Sequence, residues 1–199
     1  MSGMQTQSPF DTVGFAHPRS NVNVLGIEGG MKVADFGSGS GAHTLAIAER
    51  LGPTGKVYAI EVQRDLLRRI SNEAKQRRMQ NVEVIWADLE EPRASKLAGN
   101  SMDVVLISNL LFQVPDKAPV LREARRIIRQ TGHVAIIDWS DPALSRSEGS
   151  RIGPRKEDIV SKEMATTLAE GAGLELAREF PAGRHHWGLI FRPAASSPL

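Results

Sequence analysis

Short apolar runs alternate with amphipathic stretches along most of the chain. The runs Lys32 to Phe36, Lys56 to Glu61, Val82 to Trp86, Met102 to Ile107 and His133 to Asp138 read as strands. Helical spacing separates them. Thr44 to Leu51 follows the first run, Arg64 to Met79 follows the second with Leu66, Leu67, Ile70 and Ala74 on one side, and Ala118 to Arg129 precedes the fifth with Val120, Leu121, Ala124, Ile127 and Ile128. Gly52-Pro53-Thr54-Gly55 is a turn, and Leu89 to Asn100 is a polar connector. Strands that alternate with helices predict an α/β fold whose parallel sheet is covered on both faces.

The ends of the chain follow different rules. Residues 1–16 are rich in Ser, Gln, Thr and Gly and predict a flexible leader; His17 to Asn21 turns into a short amphipathic helix, Asn21 to Leu25, closed by Gly26, Gly29 and Gly30. Trp139 to Asp158 is a long Ser-, Pro-, Gly- and Arg-containing connector, a length common in functional lids. Ser161 N-caps a helix over Lys162 to Glu170 that stops at Gly171 or Gly173. Leu174 to Phe180 and His185 to Phe191 are strands six and seven around the turn Pro181-Ala182-Gly183, and residues 194–199 are a tail. The expectation is one domain over residues 17–193.

The chemistry begins where the first strand ends. Val33-Ala34-Asp35-Phe36 runs into Gly37-Ser38-Gly39-Ser40-Gly41, and a helix follows at once. Glycines there let the backbone come close to a ligand, and the helix start offers unpaired N–H groups. Gly37, Gly39 and Ala42 also fit a dinucleotide fingerprint. Against that fit, Gly41 comes one residue early, and Asp35 lies where a pyrophosphate has no use for a carboxylate. A carboxylate at that place suits an ammonium group. The stretch resembles the first motif of the class I S-adenosylmethionine-dependent methyltransferases: an acid, one residue, then Gly-x-Gly-x-Gly. Element order extends the resemblance from about Leu25 to Arg192. It implies a Rossmann-like, mostly parallel seven-stranded sheet in which strand seven is antiparallel and inserts between strands five and six.

In open α/β sheets ligands bind beyond the carboxyl ends of the strands. Glu61 ends strand two, 20 residues past Gly41 (61 − 41), where an acid accepts hydrogen bonds from both ribose hydroxyls. Val62 and Gln63 follow as flanks of the adenine. The resemblance implies that Asp88, at the end of strand three, bonds the adenine amino group with Ala87 or Leu89 beside the ring. It also implies that the main chain at Ser108-Asn109 lines the methionine part, with Leu110, Leu111 and Phe112 starting the wall toward the acceptor. The expected cofactor contacts are therefore Asp35, Gly37, Ser38, Gly39, Gly41, Glu61, Val62, Asp88, Leu89 and Asn109. The cofactor is S-adenosylmethionine and the product S-adenosylhomocysteine.

Transfer of an activated methyl group requires alignment and exclusion of water more than a fixed catalytic residue. A base helps where the acceptor loses a proton. Candidates on the strand-end face are His43 in the first helix, Trp139 and Asp138 after strand five, and His185 and His186 in the last hairpin; His17 and Arg19 are candidates from the leading turn. A metal-dependent reading would need Asp138, Asp141 and Asn109 together, a thin set, and no metal is expected.

Composition narrows the acceptor. The chain of 199 residues has no cysteine, which excludes a thiolate nucleophile for cytosine C5 and thiolate-dependent arsenic methylation. No Asn-Pro-Pro-Tyr follows strand four, against methylation of exocyclic base nitrogens. A small-molecule acceptor remains, and the domain resembles the group holding ubiquinone/menaquinone-biosynthesis and arsenite methyltransferases. One departure from that group is Arg129-Gln130-Thr131-Gly132 before strand five, in place of Lys-Pro-Gly-Gly. The net charge of +2 is weak support for a nucleic-acid partner. The arginine-bearing helices (Arg68, Arg69, Arg125, Arg126) read first as solvated faces. Two rivals stay open at this point: an NAD(P)-dependent oxidoreductase using the same glycine turn, and an RNA-directed methyltransferase or RNA-binding module. No apolar run approaches a membrane span and no secretory signal opens the chain, so a cytoplasmic enzyme is expected.

Overall fold

The computed structural model describes residues 18–140 and 153–195. The elements run α1 (Pro18–Val24), β1 (Lys32–Phe36), α2 (Ala42–Leu51), β2 (Lys56–Glu61), α3 (Arg64–Gln76), β3 (Val82–Trp86), β4 (Met102–Ser108), α4 (Ala118–Ile127), β5 (Ile128–Trp139), α5 (Lys162–Gly171), β6 (Leu174–Gly183) and β7 (His186–Pro193). The predicted leader, His17, Asp141 and most of the long connector lie outside the described residues.

The strands form one seven-stranded sheet in the order β3-β2-β1-β4-β5-β7-β6. Neighbours from β3 to β5 are parallel, and β7 is antiparallel to both β5 and β6. β6 therefore runs parallel to β5, and the β6–β7 turn lies at the carboxyl end of the parallel strands, the same end as the glycine turn after β1.

Burial on both faces explains the unbroken apolar runs of the middle strands. In β5, Val134 and Ile136 enter one core while Ala135 and Ile137 enter the other. The first core packs Phe36, Ile107 and Leu189 under Val120, Leu121 and Ala124 of α4 and Ala165 and Ala169 of α5. The second packs Val33, Leu106 and Ile190 under Val22 of α1 and Ile47 and Leu51 of α2. Each fully buried aliphatic side chain stabilises the fold by roughly 1.5–3 kcal/mol relative to exposure.

Several predicted boundaries shift for local reasons. The leading helix starts earlier, at Pro18, because proline is pre-set for a first helical turn. α4 stops at Ile127, and Ile128 already pairs with Met102; the register then slips before Val104 meets His133. The stretch 129–132 is thus an irregular part of β5 rather than a separate turn. Gly132 makes this possible, since a Cβ there would stand 2.7 Å from the Asp103 carbonyl oxygen. In the last hairpin Pro181 to Gly183 stays extended and the turn falls on Arg184 and His185. β6 is an edge strand, where a proline leaves no ladder bond unmade.

Candidate functional site

Asp35 ends up beneath the glycine loop. It is 1% exposed, and the Thr44 hydroxyl of α2 donates to its Oδ2 at 2.5 Å. Burial, with the Glu61 charge adding to it, pushes its carboxyl up to about 6 against the pull of Thr44. The loop above is tied to the end of β2: the N–H groups of Gly37 and Ser38 donate to the Ile60 carbonyl at 2.9 and 3.1 Å. Gly37 and Gly41 have φ of 68° and 83°. A Cβ at Gly37 would come within 2.8 Å of Leu110, and one at Gly41 within 2.6 Å of Ile70. Both positions therefore need glycine for space as well as for backbone angle.

Glu61, 7% exposed, fastens the same loop. Its Oε2 accepts the Gly39 N–H at 3.0 Å and its Oε1 accepts the Gln63 N–H at 2.9 Å. Each carboxylate oxygen can accept a further bond. Val62 beside it is 51% exposed. Its carbonyl accepts the indole N–H of Trp86 at 2.9 Å, and the Arg64 guanidinium lies over that indole at 3.8 Å. Trp86 and Arg64 were not singled out from the sequence; an exposed aromatic closing an edge strand was the available signal. Asp88 is exposed and accepts the Glu90 N–H at 3.0 Å, while Leu89 is buried in the first core.

Across the sheet, Asn109 closes β4 in the left-handed region at φ 53°, and its N–H donates to the Ile137 carbonyl at 2.8 Å. Buried polar atoms gather where β1 and β4 end: Ser38 Oγ, Ser108 Oγ and Asn109 Oδ1 have no hydrogen-bond partner among the described residues. Buried polar atoms normally have partners. A ligand with a zwitterionic amino-acid end fits this donor and acceptor set, and its ribose fits Glu61.

The acceptor-side candidates split between the two sheet faces. Trp139 lies opposite His186 in the β5–β7 register, their ring centroids 4.3 Å apart. A Cβ on Gly153 would stand 3.1 Å from the indole, so Gly153 also approaches Trp139 closely. His43 stands in the first turn of α2. Burial, with His186 nearby, lowers its imidazole to about 4. Burial, with His185 nearby, lowers His186 to about 4 as well. His185 occupies the turn, and its carbonyl accepts the Ser140 N–H at 2.9 Å.

Asp138 faces the opposite side, paired with Trp187. It accepts the Trp139 N–H at 2.8 Å on Oδ1, and Oδ2 has no partner among the described residues. Burial pushes its carboxyl up to about 7 against the backbone N–H groups of Trp139, Phe112 and Leu111 and the Lys117 charge. Phe112 and Lys117 also line a groove of about 350 Å³ with Val114, Ile159, Val160 and Met164. Among the described residues, no cluster of His, Asp and Glu could hold a metal ion, and no helix is long and apolar enough to cross a membrane.

Residues 27–173 match the family described as "Methyltransferase domain". The chain belongs to this methyltransferase family. It is a class I S-adenosylmethionine-dependent methyltransferase, and its mostly parallel sheet with β7 antiparallel is the fold expected from the sequence. A demethylmenaquinone methyltransferase of Geobacillus stearothermophilus is 30% identical over 180 residues, 85% of this chain and 72% of that protein. One from Geobacillus sp. (strain WCH70) is 29% identical over the same shares. In fold, the methyltransferase resembles a SAM-dependent methyltransferase from Aquifex aeolicus, with a TM-score of 0.77, 24% identity and 89% of each chain covered.

The rival readings gain nothing from these findings. On α4 the arginines are engaged with the fold, Arg126 with Glu123 and the Leu97 carbonyl and Arg125 with the Gly173 carbonyl, whereas Arg68 on α3 is exposed and pairs with Asp65 of its own helix. Arg19 pairs with Glu49 across the protein surface.

Proposed function

We propose that this methyltransferase holds S-adenosylmethionine across the ends of β1, β2 and β4 and methylates a small aromatic acceptor, a quinone in its reduced form. The observation that carries the placement is Glu61, whose two oxygens are already fixed against the loop by Gly39 and Gln63. That orientation suits it to accept the two ribose hydroxyls. Asp35, behind the loop, places negative charge under a cationic amino-acid end, and Gly37, Ser38, Gly39 and Gly41 form the surface over which that end lies. Ser38 Oγ, Ser108 Oγ and Asn109 Oδ1 are polar atoms left for it. Exposed Val62 flanks the adenine, with Asp88 at its amino group and Leu89 behind the ring.

The cofactor, when bound, supplies an electrophilic methyl carbon on a charged sulfur. Such a carbon calls for an electron-rich acceptor, and among quinones the reduced, hydroxyl-bearing form is the electron-rich one. The relatives named for demethylmenaquinone support an acceptor of this kind. The protein's part is to align the two groups and keep water out.

Calorimetric titration with S-adenosylmethionine, S-adenosylhomocysteine and NAD tests the cofactor assignment. Binding of the first two and not the third is expected; NAD binding alone would sink it. Release of S-adenosylhomocysteine on addition of a reduced naphthoquinone tests the acceptor class, and no release with any reduced quinone would reject it.

A further inference from the structure

Resting on that reading, we propose that His43 and His186 form the acceptor subsite: their imidazoles accept the hydrogen bond of an aryl hydroxyl, and one of them takes its proton as the methyl group moves. The two residues come from opposite ends of the chain, one in the first turn of α2 and one at the start of β7. His186 is 4% exposed, and neither of its ring nitrogens has a partner among the described residues; His43 Nε2 is likewise buried without one. Packed core histidines ordinarily satisfy at least one nitrogen. Here His186 leaves both ring nitrogens and His43 its Nε2 unused, each at the carboxyl end of the sheet where ligands of this fold class bind.

The surroundings decide which ligand group matches. The Trp139 ring lies against the His186 ring, tilted by 40°, and Gly153 approaches the indole closely. Burial keeps both rings unprotonated at neutral pH, so each offers a lone pair. A buried lone pair without a partner selects a donor, and a hydroxyl is the donor that a reduced quinone has and an oxidised one lacks.

The step balances without a further reactant. The acceptor's O–H bond breaks and its proton passes to an imidazole nitrogen. The freed electron pair pushes into the ring, the ring carbon beside the hydroxyl-bearing one forms the new bond to the methyl carbon, and the pair of the broken carbon–sulfur bond stays on sulfur. That ring carbon then loses its own proton to solvent as the imidazolium returns a proton to the oxygen and the aromatic ring re-forms. One positive charge leaves the sulfur and one appears on the imidazole, so the transfer itself leaves the net charge of the site unchanged. That conservation limits the cost of reaction in a low-dielectric pocket.

The test compares naphthohydroquinone, kept reduced, with naphthoquinone. Binding of each in the presence of S-adenosylhomocysteine is measured for the wild type, His43→Gln and His186→Gln. The half-buried His43 position keeps the test alive if the His186 variant does not fold. Expected are S-adenosylhomocysteine affinities within about twofold of wild type, and a loss of about tenfold or more in hydroquinone affinity with quinone affinity unmoved. The rate of methyl transfer to the hydroquinone should fall with it. Folded variants that bind and methylate the hydroquinone like wild type would overturn the proposal. So would a wild type that binds S-adenosylhomocysteine but does not prefer the hydroquinone, which leaves the cofactor assignment standing. Failure of the wild type to bind S-adenosylhomocysteine would instead reject the functional reading on which the proposal rests.

Discussion

The backbone N–H of Gly39 donates to Oε2 of Glu61 at 3.0 Å, so the acid that closes β2 is braced against the loop that closes β1. The two residues most expected to meet one cofactor are thus positioned by each other before it arrives.

Replacing Glu61 by alanine should weaken S-adenosylmethionine binding by roughly 1.5–3 kcal/mol, the worth of hydrogen bonds to a charged acceptor. Calorimetry on a variant shown to be folded checks this. An unchanged dissociation constant would remove Glu61 from the site.

Gly41→Ala should lose more stability than Gly26→Ala. Both glycines have positive φ, 83° and 64°. The new methyl at Gly41 meets Ile70 at 2.6 Å, whereas nothing lies within 4 Å of one at Gly26. Backbone strain alone costs about 1 kcal/mol, and overpacking adds roughly 1–3 kcal/mol at Gly41 only. Urea denaturation of the pair separates the two contributions; equal losses would mean that Ile70 yields freely.

Asp138→Asn should stabilise the protein at pH 8 and change little at pH 4. The carboxyl is raised from 3.8 to about 7, so the folded state binds the proton more tightly than the unfolded chain. Its contribution to stability therefore falls as pH rises between those values and is flat above. The gain at pH 8 is on the order of a few kcal/mol. Melting temperatures of both proteins across this range give the answer, and parallel curves would contradict it.

Glu123 has the opposite sign. Burial raises its carboxyl, but hydrogen bonds from Arg126 and Ser95 outweigh this and leave it below the ordinary 4.5. It accepts from Arg126 Nε at 2.7 Å, from the Ser95 N–H at 3.1 Å and from the Ser95 hydroxyl. Its stabilisation is present above 4.5 and disappears as pH drops through the depressed value. Glu123→Ala should cost about 3–5 kcal/mol at pH 7, as expected for a broken buried pair. Denaturation at pH 7 and pH 3 should show the penalty shrinking in acid; a constant penalty would point to packing instead.

Much of the candidate site could be proposed from the sequence because its parts are local. Asp35 and the glycines are adjacent in the chain, and Glu61 follows by one helix and one turn. The partners they take were not legible. Thr44 claims Asp35, and Leu110 and Ile70 fill the space over Gly37 and Gly41, through side-chain directions that spacing does not encode. Arg64 over Trp86 escaped notice for the same reason, since 22 residues separate them (86 − 64).

The order of strands and helices, the need for glycine after β1 and the acid after β2 are determined by the sequence itself. Backbone sterics and the periodicity of burial act within a few residues, so they can be read a few residues at a time. Only the tertiary structure set His186 against Trp139 and turned Asp138 to the other face. Those relationships depend on β7 lying between β5 and β6 and on a register in which one residue of slip would reverse every side chain. The resemblance implied that insertion of β7, but the facing of individual residues exists only once the sheet has formed.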